Sequence, residues 1–161
     1  MSLVRKYWLM KSEPEMFSID DLRNSPKQTA PWDGVRNYQA RNMLRDQIKK
    51  GDLVLFYHSS CKPPGIAGIA EVVTESYPDE TAFTPASIYY DPKSKRENPR
   101  WFVVDVKFKE KFPELLTLEK LRKIPELENM ILFRKGNRLS VMPITKREWD
   151  IILGISHTKI K

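Results

Sequence analysis

Short apolar segments at irregular intervals constrain the fold of this chain more than any other feature. Several have the length and the β-branched or aromatic content of strands, and helical patterns separate them. A doubly wound sheet requires a regular alternation of strands and helices. The chain shows neither that alternation nor a glycine-rich phosphate-binding loop. We therefore predict an α+β fold in which a mixed sheet or small barrel carries peripheral helices. The predicted strands cover residues 7–10, 53–57, 66–74, 101–108 and 139–142.

The predicted helices begin at residues whose side-chain oxygens can accept free backbone N–H groups of the first turn. Asn37 caps the second helix in this way, and Thr145 and Glu148 fit a capping box at the start of the last. The predicted helices cover residues 18–23, 38–50, 117–123 and 145–153.

Three segments between these elements lack a regular pattern. Residues 24–31 read as loop, and residues 127–133 are ambiguous. Residues 77–99 contain four prolines and the adjacent pair Tyr89 and Tyr90. We predict that this last segment is a long, exposed excursion with little regular structure.

Length and composition indicate one domain spanning residues 1–161. A hydrophobic fraction of 40% and a charged fraction of 30% are typical of a globular protein with a real core. No apolar run approaches the length of a membrane span, and residues 1–6 lack a signal-peptide apolar region, so we expect no membrane partner and a cytoplasmic location, or a nuclear one in a eukaryote. A single cysteine, Cys61, excludes an internal disulfide.

The balance of charges favours an acidic partner. A net charge of +7 and a pI of about 9.5 make nucleic acid the commonest candidate. Arg41, Arg45 and Lys49 recur at intervals of four residues and form a basic stripe on the second predicted helix. The stripe is either a solvated face or an edge that contacts phosphates.

Residues 31–42 form the strongest candidate site in the chain. Gly34 suits a turn, and Asn37 then begins a helix whose first N–H groups favour electron-rich ligands. Trp32 lies on the loop just before this helix, with Arg36 between them. An indole face, side-chain amides and an arginine suit a planar ligand with hydrogen-bonding edges, such as a nucleobase. The alternative is a core tryptophan, a solvated arginine and a simple cap.

The polar triplet Lys11, Ser12 and Glu13 follows the first predicted strand, before Pro14. Its side chains could perform acid–base chemistry if burial shifted their pKa values. They could also form an exposed pair with a polar spacer. We favour a third interpretation, in which they line the rim of a base pocket and exchange hydrogen bonds without chemistry.

Two other kinds of site receive little support. The chain has two histidines, and neither shows a spacing to carboxylates that is typical of metal ligands. His58 and Cys61 are three residues apart, but no third residue that would orient the histidine is evident. We therefore predict no metal, no cofactor and no nucleophilic pair.

Five segments between residues 7 and 144, in order, resemble the EVE domain family, and the resemblance runs over residues 7–155. The resemblance implies a PUA-like fold, a mixed β pseudo-barrel with peripheral helices. The same superfamily holds YTH readers of methylated adenine in RNA, SRA readers of methylated cytosine in DNA, and ASCH domains. The segments are YWLMKSEP at residues 7–14, WDGVRNYQARN at 32–42, FYHS at 56–59, GIAGIAEV at 65–72 and RLSVMPI at 138–144.

The resemblance also implies a set of site residues. Lys11 and Ser12 look similar to a lysine–serine pair that lines the YTH pocket, and Trp32 looks similar to the first tryptophan of the YTH aromatic cage. Glu13 replaces an asparagine of the YTH pattern, so methyladenine specificity is not carried over. The remaining residues placed at the pocket are Gly34, Val35, Arg36, Asn37, Tyr57, His58, Ser59 and Ser140.

The function we expect is non-catalytic binding of a modified nucleobase in DNA or RNA by a monomer. Arg36, Arg41 and Arg45 would contact the nucleic-acid backbone, which adds a salt-dependent affinity without sequence information. One alternative is an amidohydrolase that acts on modified nucleosides, by analogy with the ASCH branch. Another is a small-molecule sensor or interaction module with a closed pocket.

Overall fold

A curled mixed sheet of six strands forms the body of the domain in the computed structural model, which describes residues 5–156. Its strand order is β2-β7-β4-β3-β1-β8, and only the pair of β1 and β3 is parallel. β5 and β6 pair in a separate two-stranded sheet. The strands are β1 (Tyr7–Ser12), β2 (Thr29–Pro31), β3 (Leu53–His58), β4 (Gly65–Val72), β5 (Tyr77–Pro78), β6 (Phe102–Val103), β7 (Asp105–Thr117) and β8 (Val141–Ile144).

The sheet curls where β4 meets β7. Gly68 lies so close to β7 that an added Cβ would be 2.2 Å from the carbonyl oxygen of Glu110. The pairing register shifts on both sides of this contact, which is typical of β-bulges. These irregularities bend the sheet into a half-barrel and confirm the predicted α+β class of a mixed pseudo-barrel with helices around it.

Four α-helices accompany the sheet within residues 5–156. Ser18 and Asp21 form a capping box before the first, and the side chain of Asn37 accepts the N–H of Ala40 at the second, as predicted. Thr145 and Glu148 exchange hydrogen bonds at the start of the last, which also fits the predicted capping box. The helices are α1 (Ile19–Arg23), α2 (Tyr38–Asn42), α3 (Leu118–Arg122) and α4 (Lys146–Ser156).

Several predicted boundaries are wrong. α2 continues only as a π-helical turn, Met43–Gln47, so Lys49 lies outside the helix and the predicted basic stripe is shortened. β2 lies within the predicted loop of residues 24–31 because Ala30 pairs with Val106 of β7. β7 extends to Thr117, well beyond the predicted strand, and β8 begins two residues later than predicted.

The segment of residues 77–99 is mostly exposed and has little regular structure, as predicted. Its only regular elements are β5 and a short 3₁₀ turn, Glu80–Phe83. What the prediction lacked is that Asp79 and Ala82 are buried, so part of the segment packs against the rest of the domain. We call residues 77–91 the packed excursion.

The two faces of the sheet support separate apolar clusters. Successive residues of a strand point to opposite faces, so Trp8 and Met10 join one cluster while Leu9 joins the other. Trp32 and Phe56 belong to the first cluster, whereas Tyr57 lies in the second. No helix within residues 5–156 is long and apolar enough to cross a membrane.

Candidate functional site

A cleft of about 850 Å³ opens where the carboxyl end of β1 meets the loop before α2. Its size falls within the range of small-molecule and cofactor sites. It brings together most of the residues that the sequence predicted to bind the ligand: Lys11, Ser12, Glu13, Trp32, Gly34, Val35, Arg36, Ser59 and Ser140.

Three predicted ligand-binding residues lie outside the lining of the cleft. Asn37 caps α2, and Tyr57 is buried in the second apolar cluster. His58 accepts the backbone N–H of Ile19 through Nε2 at 3.1 Å and so holds the start of α1. These three residues support the walls of the cleft from behind.

One side of the cleft, which we call the β1 wall, consists of residues 11–17, 59–60 and 138–140. Backbone hydrogen bonds join its parts: the Lys11 N–H donates to Ser140 and the Ser59 N–H donates to Ser12. The Ser12 hydroxyl donates to the carbonyl oxygen of Phe17 at 2.6 Å and closes the turn that follows β1.

Lys11 is one of two cations in the β1 wall, with Arg138. Its Nζ lies 5.8 Å from the centre of the Tyr57 ring, within range of a cation–π interaction. Burial lowers the pKa of Lys11 because water no longer solvates the ammonium fully. The group can donate hydrogen bonds to an electron-rich ligand in the cleft.

The opposite side, which we call the excursion wall, consists of residues 30–36 with Ile88 and Tyr89 from the packed excursion. Trp32 is only 7% exposed and meets the Phe56 ring edge-on at 5.3 Å between centres. It is therefore both a core residue and part of the lining. Tyr89 adds a second aromatic ring to the cleft.

Asp79 holds the excursion wall in place by accepting hydrogen bonds from two of its residues, Gly34 and Arg36. Its side chain is buried, and its carboxylate accepts the Gly34 N–H at 2.9 Å and the Arg36 guanidinium at 3.0 Å. Thr81 donates both its N–H and its hydroxyl to the same carboxylate. Burial opposes the charge, but the hydrogen bonds from Thr81, Gly34 and Arg36 lower the pKa of Asp79 below its usual value.

Gly34 and Tyr89 are in close contact within this wall. Gly34 has a φ of +79°, and an added Cβ would lie 2.6 Å from the Tyr89 ring. The Arg36 guanidinium lies 5.7 Å from the centre of the Tyr89 ring and donates to the Tyr89 carbonyl oxygen at 2.6 Å. The loop before α2 and the packed excursion therefore hold each other in place.

The three arginines predicted to contact nucleic acid already have protein partners. Arg36 pairs with Asp79, as described above. Arg41 donates to the carbonyl oxygen of Arg100 at 2.6 Å, and Arg45 pairs with Asp46 at 2.8 Å. These contacts occupy part of each guanidinium and leave less of it for phosphates.

Two carboxylates, Glu13 and Asp33, lie at the rim of the cleft. Burial and the nearby Asp79 raise the pKa of Asp33. No group of three or more histidine, cysteine, aspartate or glutamate side chains that could hold a metal ion occurs within residues 5–156.

Sequence reasoning missed the contribution of the packed excursion. The only local signal was the adjacent tyrosine pair, of which Tyr89 lines the cleft. Asp79 gave no signal at all, because its partners Gly34 and Arg36 are more than forty positions away in the chain.

The curled half-barrel with its peripheral helices defines a PUA-like domain. The chain belongs to the EVE domain family, whose model matches residues 6–155. The sequence is 46% identical to human thymocyte nuclear protein 1, with 92% of this chain and 73% of the relative covered. The mouse relative of that name is 47% identical, with 95% and 74% covered.

Solved structures agree with this assignment. A hypothetical protein from Leishmania major superposes with a TM-score of 0.90 at 50% identity and covers 95% of each chain. Human THYN1 in complex with 5-methylcytosine-containing DNA superposes with a TM-score of 0.89 at 45% identity. It covers 96% of this chain and 99% of the human chain.

Proposed function

We propose that this chain binds a modified nucleobase of nucleic acid in the cleft without chemical turnover, and that its preferred ligand is 5-methylcytosine in DNA. The observation that carries the proposal is the likeness to human THYN1 in complex with 5-methylcytosine-containing DNA, at 45% identity over nearly the whole chain. At this identity the two proteins share a fold in detail, and the cleft offers the aromatic and polar groups that such a ligand requires.

The residues of the cleft suit a base that has left its stack. Extraction of a base costs a few kcal/mol, and stacking on an aromatic side chain returns about 1–3 kcal/mol. Trp32 and Tyr89 supply the rings. The N4 amino group of cytosine can donate a hydrogen bond to a carboxylate, and two carboxylates, Glu13 and Asp33, lie at the rim of the cleft. Lys11 can donate to an acceptor on the base.

The geometry favours a binding site over an enzyme. An amidohydrolase of the ASCH type would need Lys11, Ser12 and Glu13 to act together on the substrate. The Ser12 hydroxyl instead donates to the Phe17 carbonyl oxygen, and this bond holds the turn that follows β1. The human, mouse and rat relatives are named as nuclear proteins and not as enzymes.

The geometry also favours a nucleic-acid ligand over a sensed metabolite. A sensor would enclose its ligand, whereas this cleft is open to solvent along one side. An open side leaves room for the phosphates that flank a base. In a eukaryotic host we place the chain in the nucleus, following the names of its relatives, and the expectation of a cytoplasmic location receives no support from them.

The experiment is a binding titration with fluorescent oligonucleotides that differ only at one cytosine. The panel contains cytosine and 5-methylcytosine in duplex DNA, single-stranded DNA and RNA, and mass spectrometry checks each oligonucleotide afterwards. We expect tighter binding of methylated DNA and an unchanged mass. Equal binding of all members would overturn the proposal, and a mass change would move the case to the enzyme.

The variant for this test is Tyr89→Leu, because Trp32 is a core residue and its truncation would also cost stability. We expect Tyr89→Leu to weaken the binding of methylated DNA several-fold through lost stacking. Tyr90→Leu is the matched control, since Tyr90 is 42% exposed and lies outside the lining of the cleft.

A further inference from the structure

Residues 134–138 form an exposed turn, which we call the basic turn. Its sequence, RKGNR, supplies three cations within five positions. Its last residue, Arg138, lines the cleft together with Leu139 and Ser140, which follow directly. The turn therefore brings one cation into the lining of the site, with two more within four positions of it.

The three cations of the basic turn have no protein partner for their side chains in the described part of the chain, unlike Arg36 and Arg45. Within residues 5–156, the side chains of Arg134, Lys135 and Arg138 have no hydrogen bond, ion pair or ring contact. Arg36 and Arg45, by contrast, each pair with a carboxylate. An exposed cation without a protein partner remains free to exchange its counterions for a phosphate.

The backbone of the basic turn is held by Asn137. Its side-chain amide donates to the Ile131 carbonyl oxygen at 3.0 Å, and its oxygen accepts the Leu139 N–H at 3.0 Å. Gly136 takes a φ of +78° and reverses the chain. The cations therefore extend from a fixed support, although their own side chains are free.

We propose that the basic turn contacts the backbone phosphates that flank the bound base, and that these contacts supply a large part of the salt-dependent affinity. Duplex DNA carries one negative charge for about every 1.7 Å of its axis, so a base seated in the cleft brings phosphates to the rim. This inference rests on the proposed function, because it assigns a second contact of the same ligand.

The test compares two triple variants in which the lost charge is the same. The first is Arg134→Ala/Lys135→Ala/Arg138→Ala, which leaves Gly136 and Asn137 in place. The matched control is Lys120→Ala/Lys123→Ala/Lys146→Ala, because these exposed lysines lie on α3, at its end and at the start of α4. Each of them pairs with a carboxylate.

The measurement is the slope of log Kd against log salt concentration for a methylated DNA duplex between about 50 and 200 mM salt. We expect the basic-turn variant to reduce the slope by about 2–3, close to one for each lost phosphate contact, and the control to change it by less than about one. A reduction of less than about one in the basic-turn variant, or one no larger than in the control, would overturn the inference.

A second readout separates this inference from the proposed function. Binding of the 5-methyldeoxycytidine nucleoside, which lacks flanking phosphates, should be the same in the wild type and in Arg134→Ala/Lys135→Ala, a variant that keeps the cleft-lining Arg138. Its loss in that variant would show damage to the cleft and overturn the assignment to phosphates. Failure of the proposed function appears instead as equal wild-type affinity for methylated and unmethylated duplexes, whatever the salt slope.

Discussion

The two walls of the cleft are held by different kinds of contact. The β1 wall depends largely on main-chain hydrogen bonds between neighbouring strands and turns, such as those from Lys11 to Ser140 and from Ser59 to Ser12. The excursion wall depends on side chains, with Asp79 accepting hydrogen bonds from residues far away in the chain. The first wall therefore folds with the sheet, whereas the second depends on a few particular residues.

This difference predicts where single substitutions act most strongly. A main-chain ladder tolerates many side chains, because each residue contributes the same backbone groups. A buried carboxylate with several donors has no such redundancy, and its removal leaves every donor without a partner. Substitutions in the excursion wall should therefore cost more stability than substitutions in the β1 wall.

Asp79→Ala should produce the largest effect. It leaves the N–H groups of Gly34 and Thr81 without their acceptor and removes the carboxylate partner of the Arg36 guanidinium, which keeps only neutral acceptors, and we expect a loss of about 3 kcal/mol in the free energy of unfolding. Urea unfolding measures this loss. Glu80→Ala is the control, because its exposed pair with Arg96 should contribute less than about 1 kcal/mol. Equal effects of the two variants would contradict the comparison of the walls.

Gly34→Ala should produce the next largest loss of stability. The added methyl group would lie 2.6 Å from the Tyr89 ring, so the two must separate, and we expect a loss of about 2–3 kcal/mol together with weaker binding of the base. Thermal unfolding and the oligonucleotide titration measure the two effects.

Gly136→Ala separates the conformational cost of a positive φ from the cost of the contact between an added Cβ at Gly34 and the Tyr89 ring. Its φ of +78° nearly equals that of Gly34, yet nothing lies within 4 Å of an added Cβ. We expect only the conformational cost of about 1 kcal/mol at Gly136. If both variants lose the same stability, the contact between Gly34 and Tyr89 does not hold the excursion wall.

The elements that sequence reasoning predicted are those with a strong local signal. β3 has a continuous apolar run typical of an interior strand, and Asn37 has the side chain that a helix cap requires. The fold class follows from such elements together with their order.

The elements that were missed depend on distant partners. β2 has three residues and exists because β7 offers it a free edge, so its own sequence carries no strand signal. The π-helical turn Met43–Gln47 keeps a periodicity that also fits an α-helix. Nothing in the sequence distinguishes Asp79 from an ordinary loop aspartate, and only the folded chain shows that it is buried.

Ser12→Ala should produce a smaller loss, in the β1 wall. It removes the hydrogen bond from the hydroxyl to the Phe17 carbonyl oxygen, and we expect a cost of about 1 kcal/mol. Ser60→Ala is the matched control, because Ser60 also lines the cleft but makes no side-chain hydrogen bond within residues 5–156. Urea unfolding compares the two variants. A loss of about 3 kcal/mol at Ser12 would erase the difference between the walls.

The smallest effect should come from pH, through His58 behind the β1 wall. Nε2 of His58 accepts the Ile19 N–H, so a proton there removes the bond, and burial lowers the pKa of His58 further. The unfolded chain, with a pKa of about 6.5, then binds the proton more tightly, so this stability is complete above about pH 6.5 and is lost as pH falls.

Because the pKa of Asp79 is lowered, the stability that its ionised carboxylate contributes is lost only below about pH 4. The β1 wall should therefore loosen at a higher pH than the excursion wall. The protection factor of the Ile19 amide, which corrects hydrogen exchange for its intrinsic pH dependence, should fall first, at a cost of less than about 1 kcal/mol because the imidazole is only partly buried. His58→Gln keeps an acceptor but does not titrate, so this dependence should disappear in that variant. If the Gly34 amide opens at the higher pH instead, the order of the two walls is reversed and Asp79 is not the stronger support.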